Sequence, residues 1–468
     1  MLDIKRLIEI NIEKHGGKTA FWVKNHDGKG VSAITYNEAY CDISALGTSL
    51  IRRGLNGGRI AIVGGNSYDW AVSYLAVLCS GGAAVPLDKE FCIPEFKYYL
   101  NVTGCSCAIF SGELRSAFWQ IGNDGTTGIG SFINMNEKSE GWDNFSLNEL
   151  IAEGREMISA GVRDFYSVEI IKNAPGGILL TSGTTAPSKC VELSHGSIAS
   201  EISKVSKALD ITPDDIFFSR RPFHCAQECI CGILLPLCCG ASIACCEETG
   251  YNYDVSVLQN YNLTECASIA AVKPDDEPGF RLLPEMKAKT DRPDPETGVG
   301  EICLAGENIM TGYCGEPSAG AASLKDGWLF TGDTGWIDDD GRIHITGRKN
   351  TEITNARGEK TSPEELEGLL SGIPYILDSL VWGENSDDGD PIIVATVFFD
   401  KEKIKGNLGG DFKTRELERL LWGEIEKINC KLPPYKHIKK ILLRIGDFQR
   451  TPSQKIYRWH PENMLANF

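Results

Sequence analysis

Positive charge is scarce in this chain. Its 468 residues carry 47 Lys and Arg against 64 Asp and Glu, a formal net charge of -17 at pH 7. A field of that sign disfavours nucleic acid or an anionic membrane surface as the main partner, while leaving room for a local basic pocket and for a peripheral membrane contact. The opening "MLDIKRLIEINIEKHGG" is charged and amphipathic, without the apolar core expected of a secretory leader. The expected location is therefore the cytoplasm, with the 17 cysteines as free thiols. Paired zinc knuckles are also missing. "CAQECICGILLPLCCGASIACC" holds seven cysteines but no second CxxC half, so a cysteine-rich core is favoured over a zinc site. Gly232, Pro236 and Gly240 interrupt this nearly uncharged run, and Glu228, Glu247 and Glu248 flank it without basic anchors. The run predicts a buried helix followed by a buried strand, not a transmembrane segment. Internal repeats and long low-complexity linkers are absent, and the length suggests two to four ordinary domains.

What is present is an alternation of short apolar runs and helical patterns. "GRIAIVGGNS" reads as strand then turn, "YDWAVSYLAVLCSGG" as a helix closed by glycine, "AAVPLD" as a strand, "PEFKYYLNVTG" as a helix and "CAIFS" as a strand. This rhythm predicts an α/β fold with parallel-rich sheets covered by helices. From about Pro284 the texture becomes short strands with Gly- and Asp-rich turns, as in "GWLFTGDTGWIDDDGRIHITGR", predicting antiparallel sheet or a small barrel-like region. After Arg348 a capping pattern opens "SPEELEGLLSG", strands follow in "SLVWGE" and "PIIVATVFF", and "TRELERLLWGEIEKIN" is an amphipathic helix. A small α+β C-terminal domain is expected there.

"LLTSGTTAPSKCVELSH", Leu179 to His195, joins a strand end to the helical "GSIASEISKVSKAL". Thr181, Ser182, Thr184 and Thr185 offer hydroxyls, Gly183 permits a tight turn and Lys189 brings a cation. Hydroxyls and backbone N–H groups in such a turn can wrap anionic oxygens, so a polyphosphate site is one reading and a polar surface turn the other. A Walker loop is excluded, because Ser188 precedes Lys189 and Cys190 follows it.

This stretch resembles the phosphate loop of the adenylate-forming (AMP-binding) superfamily, and further matches come in that family's order. "NYNLTECA" resembles its adenine and magnesium motif, "GWLFTGDTGWIDDDG" its ribose motif, "GRKNTEITNARGEKTSPEELE" its hinge motif and "RTPSQKIYR" its C-terminal lysine motif. "RPFHCAQECICGILLPLCCGAS" is similar to the segment after the phosphate loop in bacterial long-chain acyl-CoA synthetases. The resemblance implies an N-terminal AMP-binding domain over 1–346 and a mobile C-terminal domain over 347–468. It also implies that an internal segment is missing between about 245 and 255, beside the substrate pocket.

The resemblance also implies roles. Thr181, Ser182, Gly183, Thr184, Thr185 and Lys189 would hold the phosphates of ATP. Asp333 would accept ribose hydroxyls, although a lone "TGD" ordinarily marks a turn aspartate after a strand. Arg348 would pair with ribose or phosphate, or else form a salt bridge. Tyr261 would stack on adenine, unless it is only core. Thr264 and Glu265 sit in a loop, with Glu265 as the Mg²⁺ ligand, since Mg²⁺ takes one or two carboxylates plus phosphate. His224 lies either by the acyl and thiol channel or in the core, and His195 looks structural, capping the loop-to-helix junction. Lys455 would stabilise adenylate formation, Asn350 would be the hinge, and Gly358 would admit coenzyme A. Ala186 and Cys190 stand where the family's loop usually has glycines, Asn262 where glycine is common, and Asn350 where the hinge is usually Asp or Lys. The implied activity is ATP- and Mg²⁺-dependent conversion of a carboxylic acid, with a fatty acid expected, to an acyl-adenylate and then a coenzyme A thioester. The missing segment also admits a catalytically impaired adenylate-binding protein. An enzyme loading a carrier protein is a third reading, though no "GxDSL"-like carrier serine is present.

Overall fold

Arg59–Val63, Ala83–Leu87 and Cys107–Phe110 are short apolar strands, each separated from the next by a helix, Tyr68–Cys79 and then Ile93–Thr103. That connection favours parallel pairing, because the intervening helix returns the chain to the same end of the sheet, so that the next strand runs in the same direction. The computed structural model has this arrangement. It describes residues 3–24, 30–136, 145–181, 188–218, 221–245, 259–274, 277–355, 359–384, 391–408, 414–450, 455–458 and 460–464. Contacts divide the chain into two units. The first comprises residues 1–181, 188–287 and 304–329, and the second 182–187, 288–303 and 330–468.

The first unit is built on an eight-stranded sheet. Its order is Gly312–Tyr313, Cys190–Ser194, Pro175–Leu180, Ala83–Leu87, Arg59–Val63, Cys107–Phe110, Ser131–Asn134 and Phe145–Ser146. The strands from Pro175–Leu180 to Phe145–Ser146 run parallel, whereas Cys190–Ser194 and Gly312–Tyr313 are antiparallel additions at one edge. Both faces are covered, as parallel sheets require. Ala61 and Val63 join Val85, Phe110, Phe96, Leu100, Phe118 and Ile121 in one core. Ile60 and Ile62, which alternate with them, are fully buried on the other side. Helix Tyr68–Cys79 packs on strands Arg59–Val63 and Ala83–Leu87, and helix His195–Ala208 on the antiparallel hairpin.

The cysteine-rich run is a buried helix and then a buried strand, Ser242–Ala244, as its pattern predicts. The first turns, Glu228–Leu234, are wound as a π-helix before Leu235–Cys239 continues as α-helix. Pro236 has no N–H for the carbonyl one turn back, which loosens the ladder there. The described cysteines are free thiols. Among the described residues no helix is long and apolar enough to cross a membrane.

In the second unit, Asp333 to Ile337 of the strand Trp328–Ile337 pair with Ile343–Arg348 as an antiparallel hairpin, as the Gly- and Asp-rich turns predict. A three-stranded sheet follows in the order Ile376–Glu384, Ile392–Phe399, Lys440–Arg444. Helices Pro363–Leu370 and Thr414–Asn429 supply Leu366, Leu370, Leu417, Leu421 and Ile425 to its core with Val381, Ala395 and Val397. Ser362 caps the first of these helices by accepting the Glu365 N–H at 3.3 Å. This is the small α+β unit expected after Arg348.

Candidate functional site

The strand Pro175–Leu180 ends one residue before Thr181. Thr181 donates its N–H to the Lys189 carbonyl at 2.9 Å, and its Oγ1 accepts the Lys189 N–H at 3.0 Å. These two bonds close the neck of the loop. Ser182, Gly183, Thr184 and Thr185, together with Ala186, lie outside the described residues. Cys190, one residue past the neck, is buried in the sheet, and burial pushes its thiol up to about 12.

Lys189 is exposed, and its ammonium stands 4.6 Å from the centroid of the Tyr313 ring. Among the described residues it has no carboxylate partner. Tyr313 comes from the edge strand Gly312–Tyr313, where it pairs with Val191. Its hydroxyl donates to Glu265 Oε1 at 2.8 Å. Burial and the Glu265 charge together raise the Tyr313 phenol far above its ordinary value, so it stays a donor. Glu265 sits not in an open loop but on a single 3₁₀ turn, Thr264–Cys266, pinned where the Met310 N–H bonds the Glu265 carbonyl. The sheet edge thus brings the Thr181–Lys189 neck together with Glu265, 76 residues further along the chain. Thr264 opens the same turn, half-buried. Tyr261, on the preceding strand Asn260–Leu263, is 8% exposed, with its ring 6.2 Å from that of Phe280.

His224 lies in the same unit. Its Nε2 is 3.6 Å from the buried Asp88 carboxylate, and its Nδ1 is buried without a hydrogen-bond partner. Burial lowers its pKa, and Asp88 opposes that shift. Nearby, Gln227 Oε1 accepts from both Arg221 and Asn262, each at 3.1 Å, which ties the His224 segment to the strand before Glu265. His195 is buried at the first position of its helix, but the cap is Ser194, whose Oγ accepts the Ser197 N–H. Residues 246–258 of the short connection lie outside the described residues.

Asp333 and Arg348 belong to the second unit. Asp333 lies within a strand rather than a turn, directly opposite Arg348 in register. Its carboxylate is 2.8 Å from the Arg348 Nε, and its N–H bonds the Thr331 hydroxyl. Gly332, at φ 74°, and the bulge after Thr334 give this strand the irregular course that reads as a turn in sequence. Lys349 pairs with Glu301 at 2.8 Å. Asn350 is exposed in the turn that follows Arg348. Lys455 is exposed beside Ile456, which bridges to Arg450, and Gly358 lies outside the described residues.

The first unit's residues suit a metal–polyphosphate ligand. Glu265 presents a carboxylate with no basic partner among the described residues, and Lys189 a cation with no acidic one. Among those residues no group of three His, Cys, Asp or Glu could hold a metal alone. A Mg²⁺ ion that takes most of its oxygens from phosphate and water needs only the single carboxylate. Tyr313 is the residue that sequence reasoning missed. "MTGY" carries no chemical signature, and only sheet pairing sets it between the two motifs.

Comparison with known proteins identifies the family. An AMP-binding enzyme family model matches residues 8–272. The probable CoA ligase CCL9 of Humulus lupulus is 23% identical over 424 residues, covering 73% of this chain and 77% of that protein. The 4-coumarate–CoA ligase 4 of Arabidopsis thaliana is 22% identical over 450 residues, covering 79% and 78%. The solved anthranilate CoA ligase AuaEII, in complex with anthranoyl-AMP, shares the fold, with a TM-score of 0.81 at 16% identity over 98% of this chain and 96% of its own. ATP, Mg²⁺ and coenzyme A are standard cofactors of this family. The chain belongs to the AMP-binding enzyme family.

Proposed function

We propose that this protein activates a carboxylic acid with ATP and passes the acyl group to coenzyme A. The observation that carries the reading is the convergence of Lys189 and Glu265 on Tyr313, beside the closed neck of the Thr181–Lys189 loop. In the first half-reaction a carboxylate oxygen attacks the α-phosphorus of ATP. The Pα–O bond to the β-phosphate breaks and pyrophosphate leaves. The obstacle is an anion approaching a polyanion. Lys189 and the loop hydroxyls would lower that cost by holding the phosphates, and Lys455 by countering the charge that develops. Glu265 would hold Mg²⁺, which when bound screens the phosphate charge. Asp333, with Arg348 at its side, would hold the ribose hydroxyls, and Tyr261 would face the base. In the second half-reaction the coenzyme A thiol attacks the acyl carbonyl, the thiol proton passes to solvent or to a nearby base such as His224, and AMP leaves. The C-terminal domain, residues 347–468, is proposed to turn at Asn350 between the two steps and to bring Gly358 to the pantetheine arm.

The segment after the phosphate loop favours a fatty acid. The coumarate and anthranilate ligases among the relatives make aryl acids equal members of a test panel. Acid-dependent exchange of labelled pyrophosphate into ATP, followed by a thioester assay, tests the reading. Exchange with thioester formation is expected. Exchange without thioester would point to loading of a carrier protein, and neither would point to an adenylate-binding protein without catalysis.

A further inference from the structure

Lys189 and Glu265 carry opposite charges, yet they do not pair. The ammonium rests on the face of Tyr313, 4.6 Å from the ring centroid, and the carboxylate accepts the hydroxyl of the same residue at 2.8 Å. A ring face attracts a cation without neutralising it, and a phenol O–H orients a carboxylate without supplying a counter-charge. Direct contact between a flexible lysine and a glutamate would cancel both charges before any ligand arrived. We propose that Tyr313 is a positioning residue that keeps Lys189 and Glu265 apart and charged, ready for the phosphates and the metal of one MgATP. The proposal rests on the nucleotide-binding reading above and adds a residue to it.

Three features of the chain support this role. Tyr313 is held by the sheet itself, in register with Val191, so its ring cannot drift with the loop. The next residue repeats the anchorage, the Cys314 N–H donating to the Cys190 carbonyl at 2.8 Å. The backbone of Glu265 is fixed to the same segment by the Met310 N–H at 2.9 Å. Spacer, cation strand and carboxylate turn therefore form one rigid arrangement, in which the Lys189 side chain is the most adaptable part.

Calorimetric titration of the full chain with ATP, first without divalent metal and then with increasing Mg²⁺, separates the two functions of the tyrosine. Tyr313→Phe keeps the ring and loses the hydroxyl. Metal-free ATP binding should be unchanged, while the Mg²⁺ concentration at half-effect rises about ten-fold, the weight of one hydrogen bond to a charged group. Tyr313→Leu removes the spacer as well, so metal-free ATP binding should also weaken, by about five-fold or more, as Lys189 folds onto Glu265. Glu265→Gln alone removes a carboxylate that repels the phosphates and so sets the baseline. Added to Tyr313→Leu it should raise metal-free ATP binding by about five-fold more than it raises that of the wild type, because the neutral amide no longer captures the lysine, and a merely structural tyrosine would not give this excess. Unchanged Mg²⁺ dependence in Tyr313→Phe, or no such excess in the double variant, overturns the proposal. Failure of the wild-type chain to bind ATP at all overturns the nucleotide-binding reading and the proposal with it, and the wild-type titration distinguishes that case.

Discussion

Glu201 shows what a single residue can cost and contribute. It is fully buried in helix His195–Ala208, where its carboxyl accepts the Ile269 N–H at 2.6 Å and the Asn308 amide at 2.9 Å. Burial dominates those bonds and the nearby Lys204, and the group is pushed up to about 8 from its usual 4.5. The folded chain therefore holds a proton that the unfolded chain releases above about 4.5. This contribution to stability is fully present below that value and is lost as pH rises through about 8. Thermal unfolding measured from pH 5 to 8 should show a decline of a few kcal/mol, on the order of 3, from this residue. Glu201→Gln should flatten it, since the amide can still accept from Ile269 and can donate to the otherwise unpartnered Asn308 Oδ1 once that amide rotates. An unchanged slope in the variant would show that the site ionises without penalty.

Between elements, the decisive contact in the first unit is that of helix Leu147–Ser159 with helix Tyr36–Arg52. Gly154 makes it possible: a Cβ there would lie 1.9 Å from the Ala45 carbonyl oxygen, backbone that cannot swing aside. Intrinsic preference argues for alanine by about 1 kcal/mol in a helix. Overpacking costs about 1–3 kcal/mol and more against backbone, so sterics should win. Gly154→Ala is expected to lower the unfolding midpoint by several degrees, whereas alanine at the exposed Gly423, where a Cβ meets nothing, should not. Denaturation followed by circular dichroism reads the difference, and equal midpoints would mean that the two helices separate freely.

For the whole molecule, the proposed two-step reaction assigns different residues to different steps. Lys455→Ala should slow adenylate formation by about a hundred-fold or more, the usual weight of a charge-stabilising donor. Thioester formation from supplied acyl-adenylate should change little. Single-turnover assays of each half-reaction check this, and equal losses in both would refute the division. Gly358→Leu should give the converse pattern, with adenylation retained and transfer blocked, if a side chain at this position obstructs the pantetheine arm as the proposed reaction requires.

Much of this organisation was legible in the chain's local patterns. Apolar runs spaced by helices specified the parallel strands Arg59–Val63, Ala83–Leu87 and Cys107–Phe110, and the Ser362 cap opened its helix as the pattern required. Periodicity and capping are local, so a window of sequence contains their cause. The motif residues Lys189, Glu265, Asp333 and Arg348 could be named through the resemblance, because each lies in a short contiguous motif. Their surroundings could not. Asp333 reads as a turn residue, and only cross-strand pairing showed it facing Arg348 from within a strand. Gly154 looks like an ordinary helix breaker until the second helix is laid against it. Tyr313 has no signature of its own, because its role depends on two partners at sequence separations of 124 and 48, brought to one place by the edge of a sheet. Composition and spacing determined which chemical groups this protein carries, and tertiary pairing decided which of their charges meet and which are kept apart.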